Sequence, residues 1–264
     1  MTTNLRNIAL ALFLVTTVLC AGALSANADS SKIWTKRDRL KQEKLKQSAT
    51  PSERACALYL DNMDKLYKGK SVDIEIIEGR FKGLRKQYVR CTFYDPFSEP
   101  ILKEMAALRE EVLGSDPLQA AKAMKAYKNL VRRHLANLAV VQMALEIARE
   151  DSRFGSPEFY SDVRGFIRNS LRDKRHDGSE PSKAIEIMTM AEQDYIIASA
   201  GGELIDSELI EDDGLFYYAL DFQEEGSNYK FSIFLDVTTP MTVIRRRQEE
   251  AEKQKQLNVF GSPQ

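Results

Sequence analysis

Apolar and polar residues alternate with a period close to two near the C-terminal end of the chain. Segments 203–212, 215–223 and 228–238 show this pattern, and Asp213 and Gly214 provide a turn between the first two. One face of the third segment carries five apolar residues: Tyr229, Phe231, Ile233, Leu235 and Val237. The pattern predicts a three-stranded antiparallel meander with one face against the core.

Between residues 98 and 200 the apolar spacing changes to three and four residues, which is typical of helices. Segment 117–150 contains no proline or glycine after Pro117. It therefore predicts one continuous helix of about 34 residues, roughly 50 Å long at 1.5 Å per residue. Two further helices are predicted over 158–171 and 182–199.

The predicted long helix carries an apolar seam with a period of 3.5 residues. The seam consists of Ala120, Met124, Tyr127, Val131, His134, Leu138, Val141, Leu145 and Ala148. Such a seam indicates either packing within one domain or a coiled-coil contact with a second copy or a partner. We expect His134, which lies on the seam, to be a hydrogen-bonded core residue rather than a base.

Two segments near the N-terminal side predict a further pair of strands. Residues 72–77 alternate, residues 87–94 are rich in β-formers, and Gly79 and Gly83 lie between them. A helix is predicted before them, over 51–67.

The elements together predict an α+β domain over residues 51–240. Its antiparallel sheet of about five strands combines the N-terminal pair with the C-terminal meander. The helical block is an insertion over about 98–200, and residues 241–264 are predicted as a charged helix or tail.

The first 28 residues have the pattern of a secretory signal peptide. Arg6 is followed by an apolar run over 8–19, and residues 26–28 form an A-x-A cleavage site. We therefore expect cleavage before Asp29 and a periplasmic or secreted protein. The alternatives are an uncleaved N-terminal membrane anchor and a lipoprotein signal at Cys20.

Composition excludes little but points to an ordinary folded protein. The chain has a formal net charge of −1, with 43% hydrophobic and 29% charged residues. This balance gives no reason to expect a nucleic acid partner, and membrane contact is expected only if the signal segment is not cleaved. Cleavage leaves two cysteines, Cys56 and Cys91, which we expect to form a disulfide in an oxidising compartment.

Local charge is segregated along the chain. Residues 29–50 are predicted to form a flexible basic arm, and residues 203–225 carry nine acids and no base. The predicted long helix has a basic face formed by Lys122, Lys125, Lys128, Arg132 and Arg133. The predicted acidic face consists of Glu208, Glu211, Asp212 and Asp213. Either these surfaces face each other within the protein, or each attracts a charged partner.

Few residues suggest chemistry. The sequence has no G-x-S-x-G, H-E-x-x-H, P-loop or C-x-x-C motif. His176 lies in a polar loop with Asp173 and Asp177, and these three residues are the weak catalytic candidates. The acidic turn 211–214 invites a calcium hypothesis but lacks the spacing of a calcium loop. No metal and no cofactor is predicted.

The sequence therefore predicts an exported, non-enzymatic binding or assembly protein. Its partner is expected to be a protein or an envelope polymer, and a homo-oligomer through the long helix is a second possibility. The alternative is a hydrolase that acts on cell-wall or extracellular polymer through carboxylates that the sequence does not identify.

Overall fold

The computed structural model describes residues 50–67, 74–172 and 175–260. The predicted signal peptide 1–28, the basic arm except for Thr50, and Asp173 lie outside the described residues. The described helices are α1 (Pro51–Tyr67), α2 (Ile74–Tyr88), α3 (Glu99–Gly114), α4 (Pro117–Arg133), α5 (Leu138–Glu150), α6 (Pro157–Leu171), α7 (Met190–Ser199) and α8 (Thr238–Phe260). The described strands are β1 (Ile185–Glu186), β2 (Gly202–Asp212), β3 (Leu215–Glu224) and β4 (Lys230–Asp236).

The sheet has four strands in the order β1-β4-β3-β2. Strands β2, β3 and β4 pair antiparallel at the three segments where alternation predicts them, whereas the two-residue β1 pairs parallel with β4. The α+β class is confirmed. The predicted five-stranded antiparallel sheet is wrong, because the sheet is mixed and has four strands.

The predicted N-terminal strand pair is also wrong, because residues 74–88 form helix α2. Phe81, Arg85 and Tyr88 are buried at helical spacing, and a charged residue at the centre of this buried face hides the period from a hydrophobicity pattern. Gly83, which suggested a turn, is exposed on the helix with open space around its Cα. Tertiary packing thus overrides the β-propensity of the segment.

The predicted long helix is divided into α4 and α5 by a turn at residues 134–137. The Asn137 side chain accepts hydrogen bonds from the backbone N–H groups of Ala139 (3.1 Å) and Val140 (3.3 Å), and so caps α5. The apolar seam of period 3.5 is therefore divided between two helices. The coiled-coil and homo-oligomer interpretations both depend on one continuous helix, which α4 and α5 do not form.

The predicted helix over 182–199 is partly wrong. The segment begins with a single 3₁₀ turn (Pro181–Lys183), continues through β1, and becomes helical only in α7. Two paired residues are too few to produce a visible alternation, so this strand leaves no sequence signal.

The buried side chains form two clusters. The first is contributed by α1 to α6, with Tyr59, Met105 and Leu145 among its fully buried members. The second is contributed by β3, β4, α7 and the end of α6, and includes Leu220 and Leu235. The Cys56–Cys91 disulfide (Cα–Cα 4.9 Å) joins α1 to the turn after α2, not to a strand as predicted.

A buried ion pair joins α2, which contributes to the first cluster, to α7, which contributes to the second. Arg85 of α2 contacts Glu192 of α7, and both side chains are at most 1% exposed. Arg85 also donates to the Ser170 hydroxyl (2.9 Å), and the Met188 backbone N–H donates to Glu192 (2.7 Å). Burial raises the pKa of Glu192, and the neighbouring guanidinium opposes that rise.

Helix α8 follows β4 and is polar over most of its length. Its first turn is tied to the sheet, because the Thr238 hydroxyl accepts a hydrogen bond from the Phe216 N–H (3.0 Å). Arg247 reaches back to Asp95 (3.1 Å). In the described part of the chain, no helix combines the length and apolar character needed to cross a bilayer.

Candidate binding surface

Strand β2 is an edge of the sheet and carries most of the acidic residues that the sequence singles out. It is eleven residues long and pairs with β3 along its whole length. Among the described residues no strand pairs with its other edge. An unpaired edge strand presents a row of free backbone N–H and C=O groups.

A β-bulge at Ile205 determines which side chains of β2 share a face. Leu204 lies opposite Phe222 and Asp206 lies opposite Asp221, so Ile205 is the extra residue. Because of this extra residue, even-numbered residues before the bulge share a face with odd-numbered residues after it. Leu204 therefore lies on the same face as Leu209, a consequence that simple alternation does not predict.

The outer face of β2, which points away from the core, is acidic. It carries Glu203, Asp206, Glu208 and Asp212, with Ile210 between the last two. All four carboxylates belong to exposed residues, and no cationic side chain of the described residues pairs with any of them. Four like charges thus lie along one side of a strand without compensation.

The inner face of β2 carries two leucines that remain uncovered. Leu204 and Leu209 are 36% and 42% exposed, although they are paired with the buried Phe222 and the partly buried Tyr218 of β3. None of the eleven residues of β2 is buried, and none belongs to the second hydrophobic cluster. The helices that cover β3 and β4 therefore stop short of this strand.

One acid of β2 has a cationic partner. Glu211, on the inner face, forms a two-point ion pair with Arg245 of α8 (2.9 and 2.5 Å). These hydrogen bonds lower the pKa of Glu211, and the Arg245 guanidinium also lies over the Phe216 ring at 4.2 Å. Helix α8 thus closes one end of the inner face and leaves Leu204 and Leu209 open.

The predicted calcium turn is a two-residue β-hairpin. Asp213 and Gly214 both have positive φ (46° and 77°), as a type I′ turn requires. Among the described residues no group of three His, Cys, Asp or Glu side chains is placed to hold a metal ion. The presence of Asp213 and Gly214 is therefore explained by the backbone conformation of the turn.

The basic face of the predicted long helix lies entirely on α4, away from the meander. Lys122, Lys125 and Arg133 are exposed, and Lys128 and Arg132 are partly buried. Arg132 forms an ion pair with Asp64 of α1 (2.6 Å). In the described part of the chain no ion pair joins this face to the acidic meander, so the two charged surfaces do not neutralise each other.

The catalytic candidates do not form a recognisable site among the described residues. Asp177 accepts hydrogen bonds from the Ser179 N–H (3.0 Å) and hydroxyl (2.6 Å), and these bonds lower its pKa. Gly178, with φ 78°, is held against β4 because its carbonyl accepts from the Phe234 N–H (2.9 Å). His176 is partly buried beside this turn. The loop therefore attaches to the sheet edge near β1.

His134 is a buried residue of the helical cluster, as its position on the seam suggests. Its Nδ1 lies 2.8 Å from the Tyr88 hydroxyl, and the Phe93 ring packs edge-on against it. Burial lowers its pKa to about 4, with a smaller contribution from Arg133. The imidazole is therefore neutral at pH 7, and it shares one hydrogen bond with the Tyr88 hydroxyl.

Comparison of the chain with protein-family models, curated proteins and solved structures finds no match in any of the three.

Proposed function

We propose that this protein is an exported, non-enzymatic binding protein that contacts a basic protein partner through the acidic outer face of β2. The observation that carries the proposal is the row formed by Glu203, Asp206, Glu208 and Asp212, with which no cation of the described residues pairs. Uncompensated charge of one sign raises the local concentration and the association rate of an oppositely charged partner.

The length of the acidic row suits a macromolecule better than a small ion. From Glu203 to Asp212 the strand extends roughly 30 Å at about 3.3 Å per residue. A partner must therefore present several cations over a comparable distance. The open inner face beside the row, with Leu204 and Leu209, offers apolar surface that such a partner can cover.

The export part of the proposal is supported by the first 28 residues and by the disulfide. A charged start, a short apolar run and an A-x-A site are typical of a cleaved secretory signal. Disulfides persist in oxidising compartments, and the Cys56–Cys91 bond is compatible with one. Sequencing the N-terminus of the protein purified from its host tests this part, with Asp29 as the expected first residue.

The experiment on binding compares two variants that lose the same number of charges. The edge-neutral variant carries Glu203→Gln, Asp206→Asn, Glu208→Gln and Asp212→Asn. The distal-neutral control carries Glu104→Gln, Glu111→Gln, Asp162→Asn and Glu252→Gln, all at exposed helical positions. Immobilised wild type and both variants are used to capture proteins from an envelope fraction at low salt, and each captured protein is purified and titrated against all three.

We expect a captured basic protein whose affinity for the edge-neutral variant is at least tenfold lower than for wild type and the distal-neutral control. Its binding to wild type must also weaken as salt is raised, because screening reduces attraction between exposed charges. Equal affinity for wild type and the edge-neutral variant would refute the acidic edge as the binding surface. Retention of a polysaccharide instead of a protein would refute the partner class.

A further inference from the structure

We propose that β2 binds its partner by strand addition, and that the partner supplies an extended segment in which basic and apolar residues alternate. This inference rests on the proposed function, because it specifies how the acidic edge is used.

The free backbone groups of β2 can be identified from the hydrogen bonds of β3. The Phe216 N–H donates to Thr238 and the Phe216 carbonyl accepts from the Val237 N–H (2.9 Å), so both groups point away from β2. Glu211, the partner of Phe216 in the register, therefore directs its own N–H and C=O to the free edge. By alternation, Leu209 and Ser207 do the same.

Ser207 provides an independent check of this assignment. Its backbone N–H donates to the side-chain carboxylate of the preceding Asp206 (2.8 Å), so it is not used in the ladder with β3. The three residues Ser207, Leu209 and Glu211 thus direct three C=O acceptors to one edge, together with the free N–H donors of Leu209 and Glu211. The Ser207 N–H becomes a third donor when it exchanges the Asp206 carboxylate for a carbonyl of the added strand. This is the arrangement that an added strand requires.

The two faces of β2 then define the side chains of the added strand. Neighbouring strands lie about 4.8 Å apart, so side chains on the same face of adjacent strands touch. On the outer face the neighbours are Asp206, Glu208 and Asp212, which favour lysine or arginine. On the inner face the open neighbour is Leu209, which favours an apolar residue. The bulge at Ile205 interrupts the ladder, so the added strand spans about seven residues, opposite 206–212.

The same charges disfavour a second copy of β2 as the occupant. Pairing two copies edge to edge would bring the carboxylates of both outer faces together, and like charges on neighbouring strands are destabilising. Acids on an edge strand thus prevent self-association, while a strand with cations at the same positions is attracted. The occupant that fits is a basic, alternating segment of another protein.

The test uses the full chain and a seven-residue probe peptide that alternates lysine and valine. A block peptide with the same composition but with all lysines first is the first control. A version of the alternating peptide methylated on its valine backbone nitrogens is the second, because it keeps charge and side chains but loses donors. Affinities are measured by fluorescence anisotropy, and backbone pairing by hydrogen exchange of the Leu209 and Glu211 amides.

We expect the alternating peptide to bind at least tenfold more tightly than either control and to slow exchange at both amides. Ser207→Pro removes an edge donor without removing a bond to β3, so the variant is expected to fold and to lose at least tenfold in affinity, whereas Ser207→Ala retains binding. If Ser207→Pro does not fold, the methylated peptide still tests the backbone ladder from the partner's side, because it lacks the donors to the free C=O groups of β2.

Each other result has a distinct meaning. Equal binding of the alternating and block peptides, lost in the edge-neutral variant, would overturn strand addition and leave the proposed function intact. Binding that persists in the edge-neutral variant would overturn both. Self-association of the wild-type chain that disappears in Ser207→Pro, measured by sedimentation, would overturn the choice of occupant.

Discussion

Helix α5 and strand β2 contain similar numbers of residues, thirteen and eleven, and both carry several apolar side chains, but the fold buries them to different extents. Seven of the thirteen residues of α5 are buried, whereas none of the eleven residues of β2 is. Burial of an aliphatic side chain contributes about 1.5–3 kcal/mol, so α5 is held by packing. Strand β2 is held chiefly by its backbone ladder with β3, and its side chains remain available for contacts outside the chain.

The contrast extends to polar groups. The helical part places Arg85, Glu192, His134 and Asn137 out of solvent and gives each of them a partner within the chain. The sheet edge leaves the four carboxylates of its outer face in water, and no cationic side chain of the described residues pairs with them. The comparison places most of the buried packing in the helical part, apart from the sheet edge at which we propose binding. Three substitutions test that separation.

The largest effect is expected at the ion pair that joins the two regions. Arg85→Met leaves the buried Glu192 carboxylate without its cation, and such a loss costs about 3–5 kcal/mol of the free energy of unfolding. The double variant Arg85→Met/Glu192→Leu is expected to recover most of this loss, because neither charge is then buried. Urea titration at pH 7 measures all three proteins.

The exposed pair Lys103–Glu99 (2.7 Å) is the matched control for the buried pair. Lys103→Met also removes the cation of an ion pair, but this pair is exposed and water already screens it. The free energy of unfolding is therefore expected to stay close to that of wild type. An Arg85→Met protein as stable as Lys103→Met would contradict the buried pair as the junction between the two regions.

An intermediate effect is expected from His134 and depends on pH. Its pKa is about 4 in the folded protein and 6.5 in its unperturbed state, so below pH 6.5 the unfolded chain binds the extra proton first. Stability from this residue is therefore complete above pH 6.5 and is lost as the pH falls toward 4. The loss amounts to about 3 kcal/mol at about 1.4 kcal/mol per pKa unit.

His134→Gln separates this contribution from that of titrating carboxylates. The variant has no imidazole, so its free energy of unfolding is expected to fall less than that of wild type between pH 7 and pH 4. The measurement is urea unfolding at both pH values. Parallel pH profiles for the two proteins would show that His134 is not buried in the neutral form.

The smallest effect is expected on the edge strand. Leu209→Thr, which keeps β-propensity on a side chain that is already 42% exposed, is expected to cost less than about 1 kcal/mol. Leu145→Ala in α5 is the contrasting control and is expected to cost about 2–5 kcal/mol, because it leaves a cavity in a fully buried site. Thermal or urea unfolding of both variants makes the comparison, and a Leu209→Thr protein as unstable as Leu145→Ala would remove the distinction.

Sequence patterns predict the parts of this fold in which side-chain periodicity and burial coincide. Strands β2 to β4 and helix α6 are found where the pattern places them, because turns or caps mark their ends. Helix α2 is missed because its buried face contains Arg85, a residue that reads as solvent-facing until its partner on α7 is known. The break before α5 is missed because Asn137 is tolerated inside helices and becomes a cap only in this packing.

The candidate surface is predictable only in part. The acids of β2 are visible in the sequence, and so is the strand that carries them. Two properties that make it a candidate surface are not visible: the position of β2 at the edge, and the exposure of Leu204 and Leu209, which no helix of the described residues covers. Both depend on how distant segments assemble. The bulge at Ile205 is not visible either, because simple alternation places Leu204 and Leu209 on opposite faces.

The extra residue at Ile205 has a consequence for how the length of this strand can vary. Loss of Ile205 alone would remove the bulge, yet Leu204 would still lie opposite Phe222 and Asp206 opposite Asp221, so the other side chains of β2 would keep their sides of the sheet. Loss of a residue elsewhere in β2 would instead move the residues on one side of the deletion to the opposite face, like a change of reading frame. Chains that keep this surface are therefore expected to tolerate a difference of one residue in length at this point.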